Sequence, residues 1–281
     1  MALAACTGEM NGVRTLGYLT LDMSPSPLDT IDAAADGGFR SVGIRITGRR
    51  PGDPFPSPLG DRSAIAAIRA RAAERGVRLS SVHAYQVVPE VAEDELKRVV
   101  EAIAELGSPS TVVNVYMPDE SLTVDTLARY CELCEPAGMD VALEFVPFST
   151  VRSLDDALRV ATRVGKPNLR LVIDALHLAR SGGHPDQLRA VDPSRIACVQ
   201  LCDAKAVVGP RSDEALRRES RGRRLLPGDG DLPLAQLLSA VPSDVEVEYE
   251  VPRQDFAALT LAERARVAFS VCNAYLDGLP R

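Results

Sequence analysis

The sequence predicts an α/β protein built as a single (β/α)8 barrel, and three observations predict it. Short apolar strands alternate with amphipathic helices eight times along 281 residues. No linker or shift of composition divides the chain, so one domain spans 1–281. The first strand lacks the GxGxxG turn that would favour the alternative, a doubly wound sheet; TLGYLTLDMS stands there instead.

RTLGYLTL (14–21) reads as strand one, and LDTIDAAADGG as a helix stopped by paired glycines. FRSVGIRI (39–46) is strand two. A Pro- and Gly-rich loop leads to the helix SAIAAIRARAAERG, then to strand VRLSSVHAY and helix EDELKRVVEAIAELG. STVVNVYM (110–117) precedes the helix VDTLARYCELCEPAG, and MDVALEFV (139–146) precedes SLDDALRVATRVG. Strand six is LRLVIDA, and strand seven is RIACVQLCD (195–203). A long polar insertion, KAVVGPRSDEALRRESRGRR, separates strand seven from LLPGDGDLPLAQLLSAV and strand eight, DVEVEYEVP (244–252). The last helix, in ALTLAERARVAFSVCNAYLDGL, carries its apolar residues at helical spacing, as the outer layer of a barrel requires.

Composition narrows the function. A formal charge of −7 argues against a phosphate-backbone partner, so nucleic acid is not expected. No apolar run approaches the roughly 20 residues of a membrane span, and MALAACTGEMNG shows no basic region followed by an apolar stretch, although LAAC at 3–6 faintly resembles a lipoprotein cleavage site. The expectation is a cytoplasmic protein that works on a small molecule, with a homodimer as the open oligomeric option. Of the six cysteines, Cys131 and Cys134 fall within a helical pattern and Cys198 and Cys202 on a strand. Neither pair has the turn of a zinc knuckle, so buried, reduced thiols are expected.

Side chains on a barrel strand alternate between the helix layer and the interior. Val141, Leu143 and Phe145 suit the helix side, which turns Glu144 inward; the same parity turns Asp174, Gln200 and Glu250 inward near the C-terminal ends of strands six, seven and eight. Acids converging on a barrel mouth repel one another and are costly to desolvate unless a cation joins them or arginines pair with them. Three carboxylates and an amide oxygen form a hard donor set suited to one divalent metal, Mn²⁺ first, with Mg²⁺ or Co²⁺ as alternatives. His83 and Arg45, inward at the ends of strands three and two, are candidates for a substrate hydroxyl and a substrate carboxylate. Glu246 and Glu248 lie deeper, where one of them is expected to pair with an arginine such as Arg170. The insertion 205–223 is a candidate lid.

With ALEF (Glu144), DALH (Asp174, His177), VQLCDA (Gln200, Asp203), RLLPGDGDLPL (Arg224 to Leu234) and EYEVPR (Glu250), the chain resembles, over essentially its whole length, the xylose isomerase-like barrels. That superfamily includes keto-sugar 3-epimerases, inosose dehydratases and 3-dehydroshikimate dehydratases. The resemblance implies metal ligands at Glu144, Asp174, Gln200 and Glu250, with Gln200 departing from the usual histidine. It implies a catalytic base at Glu144 or Glu250 for epimerisation, and at His177 for dehydration, where His177 could otherwise only support a ligand. It also implies that Arg224 contacts substrate oxygens. The expected function is a metal-dependent sugar isomerase or epimerase working through a metal-stabilised enediolate. The alternatives are a dehydratase of a cyclic keto-polyol such as 3-dehydroshikimate or a keto-inositol, and a non-catalytic barrel that serves as a binding or partner subunit.

Overall fold

The computed structural model describes residues 14–19 and 26–279. Eight parallel strands close into a barrel in sequence order: β1 Leu16–Leu19, β2 Ser41–Arg45, β3 Arg78–His83, β4 Ser110–Val113, β5 Asp140–Glu144, β6 Leu169–Asp174, β7 Ile196–Leu201 and β8 Glu246–Glu250. The strands are shorter than the apolar runs suggested. The far end of the run predicted as strand one, and the 3–6 segment, lie outside the described residues.

Each strand leads into the outer layer: α1 Pro27–Gly37, α2 Arg62–Arg75, α3 Glu93–Leu106, α4 Glu120–Cys134, α5 Leu154–Val164, α6 Ala175–Arg180, α7 Asp213–Gly222, α8 Leu234–Ser239 and α9 Leu261–Asp277. Caps account for their starts. Asp61, Ser153 and Thr260 each accept a hydrogen bond from a backbone N–H of the first turn, and Thr260 and Glu263 form a reciprocal capping box. Of the nine helices among the described residues, α6, α7 and α8 lie in segments to which the sequence assigned no helix. The polar insertion after β7, the candidate lid, folds in its second half as α7, a helix with little apolar face beyond buried Leu216.

The barrel closes where β1 pairs with β8, Leu19 standing opposite Glu250. Tyr18 stacks on Tyr249 at 5.9 Å and tilts against Phe39 at 5.0 Å, which meets Phe269 edge-on, so an aromatic ladder fills this seam from the barrel wall to α9. Outside it α1 and α9 touch backbone to backbone: a Cβ on Gly37 would lie 2.7 Å from that of Ala265.

Parity holds through the wall. Val141, Leu143 and Phe145 pack in the outer core, whereas Val112, Ala142, Val172 and Cys198 form a small apolar cluster inside the barrel. Below this cluster the polar floor differs from expectation. Arg170 pairs with Asp140 at 2.9 Å, not with a strand-eight glutamate, because its guanidinium also donates to the carbonyls of Ser194 and Ile196 at the N-terminal end of the barrel. Glu246 takes Arg78 instead, at 2.5 Å, and the hydroxyl of Ser41. The five described cysteines, Cys131, Cys134, Cys198, Cys202 and Cys272, are free and buried. No helix among the described residues is long and apolar enough to cross a membrane.

Candidate active site

The C-terminal rim of the barrel gathers the predicted acids because their strands end there. Asp174 and Gln200 are register partners on β6 and β7, and Glu144 and Glu250 are the last residues of β5 and β8. Asp174 and Gln200 are fully buried, with Glu144 and Glu250 nearly so. Asp174 ends its strand and caps α6, accepting the backbone N–H of His177 at 2.8 Å, which fixes the imidazole one turn beyond the acid. Glu144, Asp174 and His177 each present a ligand atom within 4.8 Å of the others. Gln200 Oε1 and Glu250 Oε2 are buried without a hydrogen-bond donor.

Electrostatics divide these acids. Burial, with Asp174 adding to it, pushes Glu144 up to about 8. Burial also lifts Glu250 well above the usual carboxylate range, more than Arg224 lowers it. Asp174 is disfavoured by burial too, but the guanidinium of Arg224 outweighs this and holds it down to about 2. Burial lowers His177 to about 4, so its ring is neutral near pH 7. His177 Nε2 lies 3.5 Å from Glu144 Oε1 and 3.5 Å from Ser220 Oγ of α7, with Phe148 edge-on at 5.9 Å.

Arg224 lies inside the site rather than on its rim. Only 2% exposed, it ion-pairs with Asp174, stands 3.3 Å from Glu250 Oε2, and donates to the Ser220 carbonyl at 3.0 Å. Arg45, the last residue of β2, pairs in register with His83 of β3. Its Nε is buried and unpartnered, as is Nε2 of His83. Burial lowers Arg45 to about 10 and holds His83 well below its usual value, so His83 is neutral. Arg49 and Arg221 also belong to this side of the mouth, where Arg221 opposes the charge on both Arg45 and Arg49.

Sequence reasoning missed Asn114, just beyond β4, whose Nδ2 donates to Glu144 Oε2. An asparagine at the end of a strand gives no signal until the neighbouring strand is in register. Asp203 is a loop anchor. It exchanges backbone hydrogen bonds with Leu225, 2.8 Å each way, and its carboxylate accepts the N–H groups of Ala204 at 2.8 Å and of Gly228, Gly230 and Leu232 at 3.0 Å. The insertion between Asp203 and Leu225 turns back over the site. Its α7 is tied down by Arg180–Glu219 at 2.8 Å, and Leu216 packs with Val146 and Phe148.

The donor set fits a divalent cation. Three carboxyl groups share the pocket with one charge-compensating arginine, and the amide oxygen of Gln200 lacks a donor.

The inosose isomerase of Bacillus subtilis (strain 168) is 31% identical to this chain over 153 residues, covering 52% of each. That of Halalkalibacterium halodurans is 28% identical over 188 residues, covering 62% of this chain and 64% of the relative. The chain thus spans about half to two thirds of the length of these relatives. Among solved structures, the IolI protein with a bound zinc atom superposes with a TM-score of 0.76 over 94% of this chain and 98% of its own, at 23% identity, a likeness of fold. The model of the xylose isomerase-like TIM barrel matches residues 31–266, and the chain belongs to that family.

Proposed function

We propose that this chain is a divalent-metal-dependent isomerase or epimerase of a small keto-polyol, with an inosose as the first substrate to try. The observation that carries the reading is the convergence of Glu144, Asp174 and His177 within 4.8 Å at the barrel mouth, beside the Gln200 oxygen that lacks a donor and the Glu250 oxygen that meets only the Arg224 guanidinium at 3.3 Å. The names of the curated relatives support the substrate class.

A cation held by Glu144, Asp174, Gln200 and Glu250 would polarise the substrate carbonyl and acidify the neighbouring C–H. The chain's own groups do the rest. Glu144 or Glu250 takes the proton, and Asn114 orients Glu144 through Oε2. Neutral His83, with its free Nε2, is placed to hold a substrate hydroxyl. Buried Arg224 holds Asp174 ionised, so this acid stays a ligand and is not a base. Helix α7, over His177, excludes water from the mouth.

A second reading, β-elimination of water from a cyclic keto-polyol carboxylate, is favoured by the arginine side of the mouth. Arg45, with its buried unpartnered Nε, next to Arg49 and Arg221, suits a substrate carboxylate. His177, neutral and 3.5 Å from Glu144, then carries the proton to the leaving hydroxyl.

Both readings begin with removal of a proton next to a carbonyl, so one experiment tests them. The Mn²⁺-loaded protein is incubated in D2O with an inosose and, separately, with 3-dehydroshikimate, and proton NMR is followed. Loss of the α-proton signal without dehydration supports the isomerase, and appearance of the unsaturated product supports the lyase. No exchange in any keto-sugar tried, together with no metal bound at purification, moves the chain to a non-catalytic binding barrel.

A further inference from the structure

Beneath the mouth lies a polar layer that neither reaction uses. Glu248 of β8 is 1% exposed, and its partners are neutral donors. Ser81 Oγ donates to its Oε1 at 2.8 Å and Ser80 Oγ at 3.1 Å; its Oε2 faces Gln200 Nε2 at 3.4 Å and Cys198 Sγ at 3.7 Å. The site is built for this carboxylate. A Cβ on Gly43 would collide with Ser81 Oγ at 2.7 Å, and one on Gly17 would come within 3.3 Å of Glu248 Cγ, so β1 and β2 carry glycine where a side chain would take its space.

We propose that Glu248 is a positioning residue that sets the amide of Gln200 with its oxygen toward the cation, an assignment that rests on the metal-dependent reading above. Gln200 and Glu248 are register partners on β7 and β8, so their side chains enter the barrel side by side. Both oxygens of Glu248 accept, Oε1 from Ser80 and Ser81 and Oε2 from Cys198, so the amide end that faces Oε2 is the NH2 group. The carbonyl then points away from it, and Gln200 Oε1 is left buried with no donor. Turned the other way, the amide would present N–H groups to a metal and a lone-pair oxygen to a carboxylate, both repulsive. An amide ligand can be wrong by a half-turn about one bond, and Glu248 removes that freedom from below.

The test is a double-mutant cycle read by calorimetric titration with Mn²⁺ of the metal-free protein: wild type, Glu248→Met, Gln200→Ala and the double variant. The expected result is a loss of Mn²⁺ affinity of about 10- to 100-fold in Glu248→Met. In the Gln200→Ala background the same change should add less than about 2-fold, because the two residues act through one ligand atom. Titration with Co²⁺ gives a spectroscopic check: its visible absorption should change in Glu248→Met as it does in Gln200→Ala. Should Glu248→Met fail to fold, Glu248→Gln keeps the shape, and the same lack of additivity is expected from a smaller loss. Additive losses, or wild-type affinity in Glu248→Met, overturn the assignment while leaving the metal site standing. A wild-type protein that binds neither Mn²⁺ nor Co²⁺ removes the metal-dependent reading and this assignment together.

Discussion

The guanidinium of Arg224 rests on the carboxylate of Asp174 with both side chains sealed from solvent, at 1% and 0% exposure. Removing one member of such a pair leaves the other as an uncompensated buried charge, a loss of about 3–5 kcal/mol. Arg224→Met should therefore lower the unfolding free energy of the metal-free protein by about that amount. Saturating Mn²⁺ should recover part of the loss, since a cation beside Asp174 replaces the missing charge. Urea unfolding with and without Mn²⁺ measures both. An unchanged midpoint in the metal-free variant would show that Arg224 does not compensate Asp174.

Glu144 gives the metal-free protein a pH dependence of known sign. Its folded value, near 8, lies above the ordinary 4.5, so its contribution to stability is full below 4.5 and is lost as pH rises through about 8. His177 and His83, lowered by burial, act with the opposite sign and only below their ordinary 6.5. Between pH 6.5 and 8 the raised carboxyls of Glu144 and Glu250 act with the same sign, and metal-free stability should fall with rising pH. Glu144→Gln should make that limb shallower, leaving the part that Glu250 contributes. With Mn²⁺ present the slope should reverse, because the deprotonated acid is then the bound form. A rising limb in the metal-free wild type would contradict the assignment.

Gln200 marks the choice of metal. Replacing its amide oxygen with the softer imidazole nitrogen, Gln200→His, should move the preference from Mn²⁺ or Mg²⁺ toward Zn²⁺. Elemental analysis after exposure to an equimolar mixture reads this directly. Equal Zn²⁺ uptake by wild type and variant would mean that residue 200 does not contact the ion.

Gly230 is needed for lack of room. A Cβ there would lie 2.2 Å from Asp203 Oδ1 and 2.6 Å from the Ala204 nitrogen. Gly230→Ala should cost about 1–3 kcal/mol through overpacking. It should also weaken Mn²⁺ binding by displacing the segment that holds Arg224. Thermal unfolding and metal titration on one sample check the two effects, and a variant with wild-type values in both would remove the loop's role.

The strand ends were legible because inward and outward positions differ in kind: Val141 and Leu143 could only face helices, which left Glu144 to the interior. Helix starts were legible where a serine or threonine stood before an acidic first turn, as Ser153 does before Asp155 and Asp156. Partners that depend on which strand lies beside which were not. Arg170 could have reached several acids, and only the placement of β5 beside β6 gives it Asp140. Asn114 and Arg224 lie far from Glu144 and Asp174 in sequence, and nothing local marks the contacts they make. Helix α7 stayed hidden because charged residues dominate it and Leu216 is its one large apolar side chain, so no apolar period announced it.

The paired backbone bonds between Asp203 and Leu225 give the excursion between them a closed base. Gln200 stands just before that base, and Arg224 returns at its far side, both held by the barrel. Residues added to or removed from the excursion would change its reach without passing strain to either anchor. The roof of the pocket can thus be rebuilt as a cassette, so that descendants of one barrel could accept differently sized polyols while the chemistry beneath stays in place.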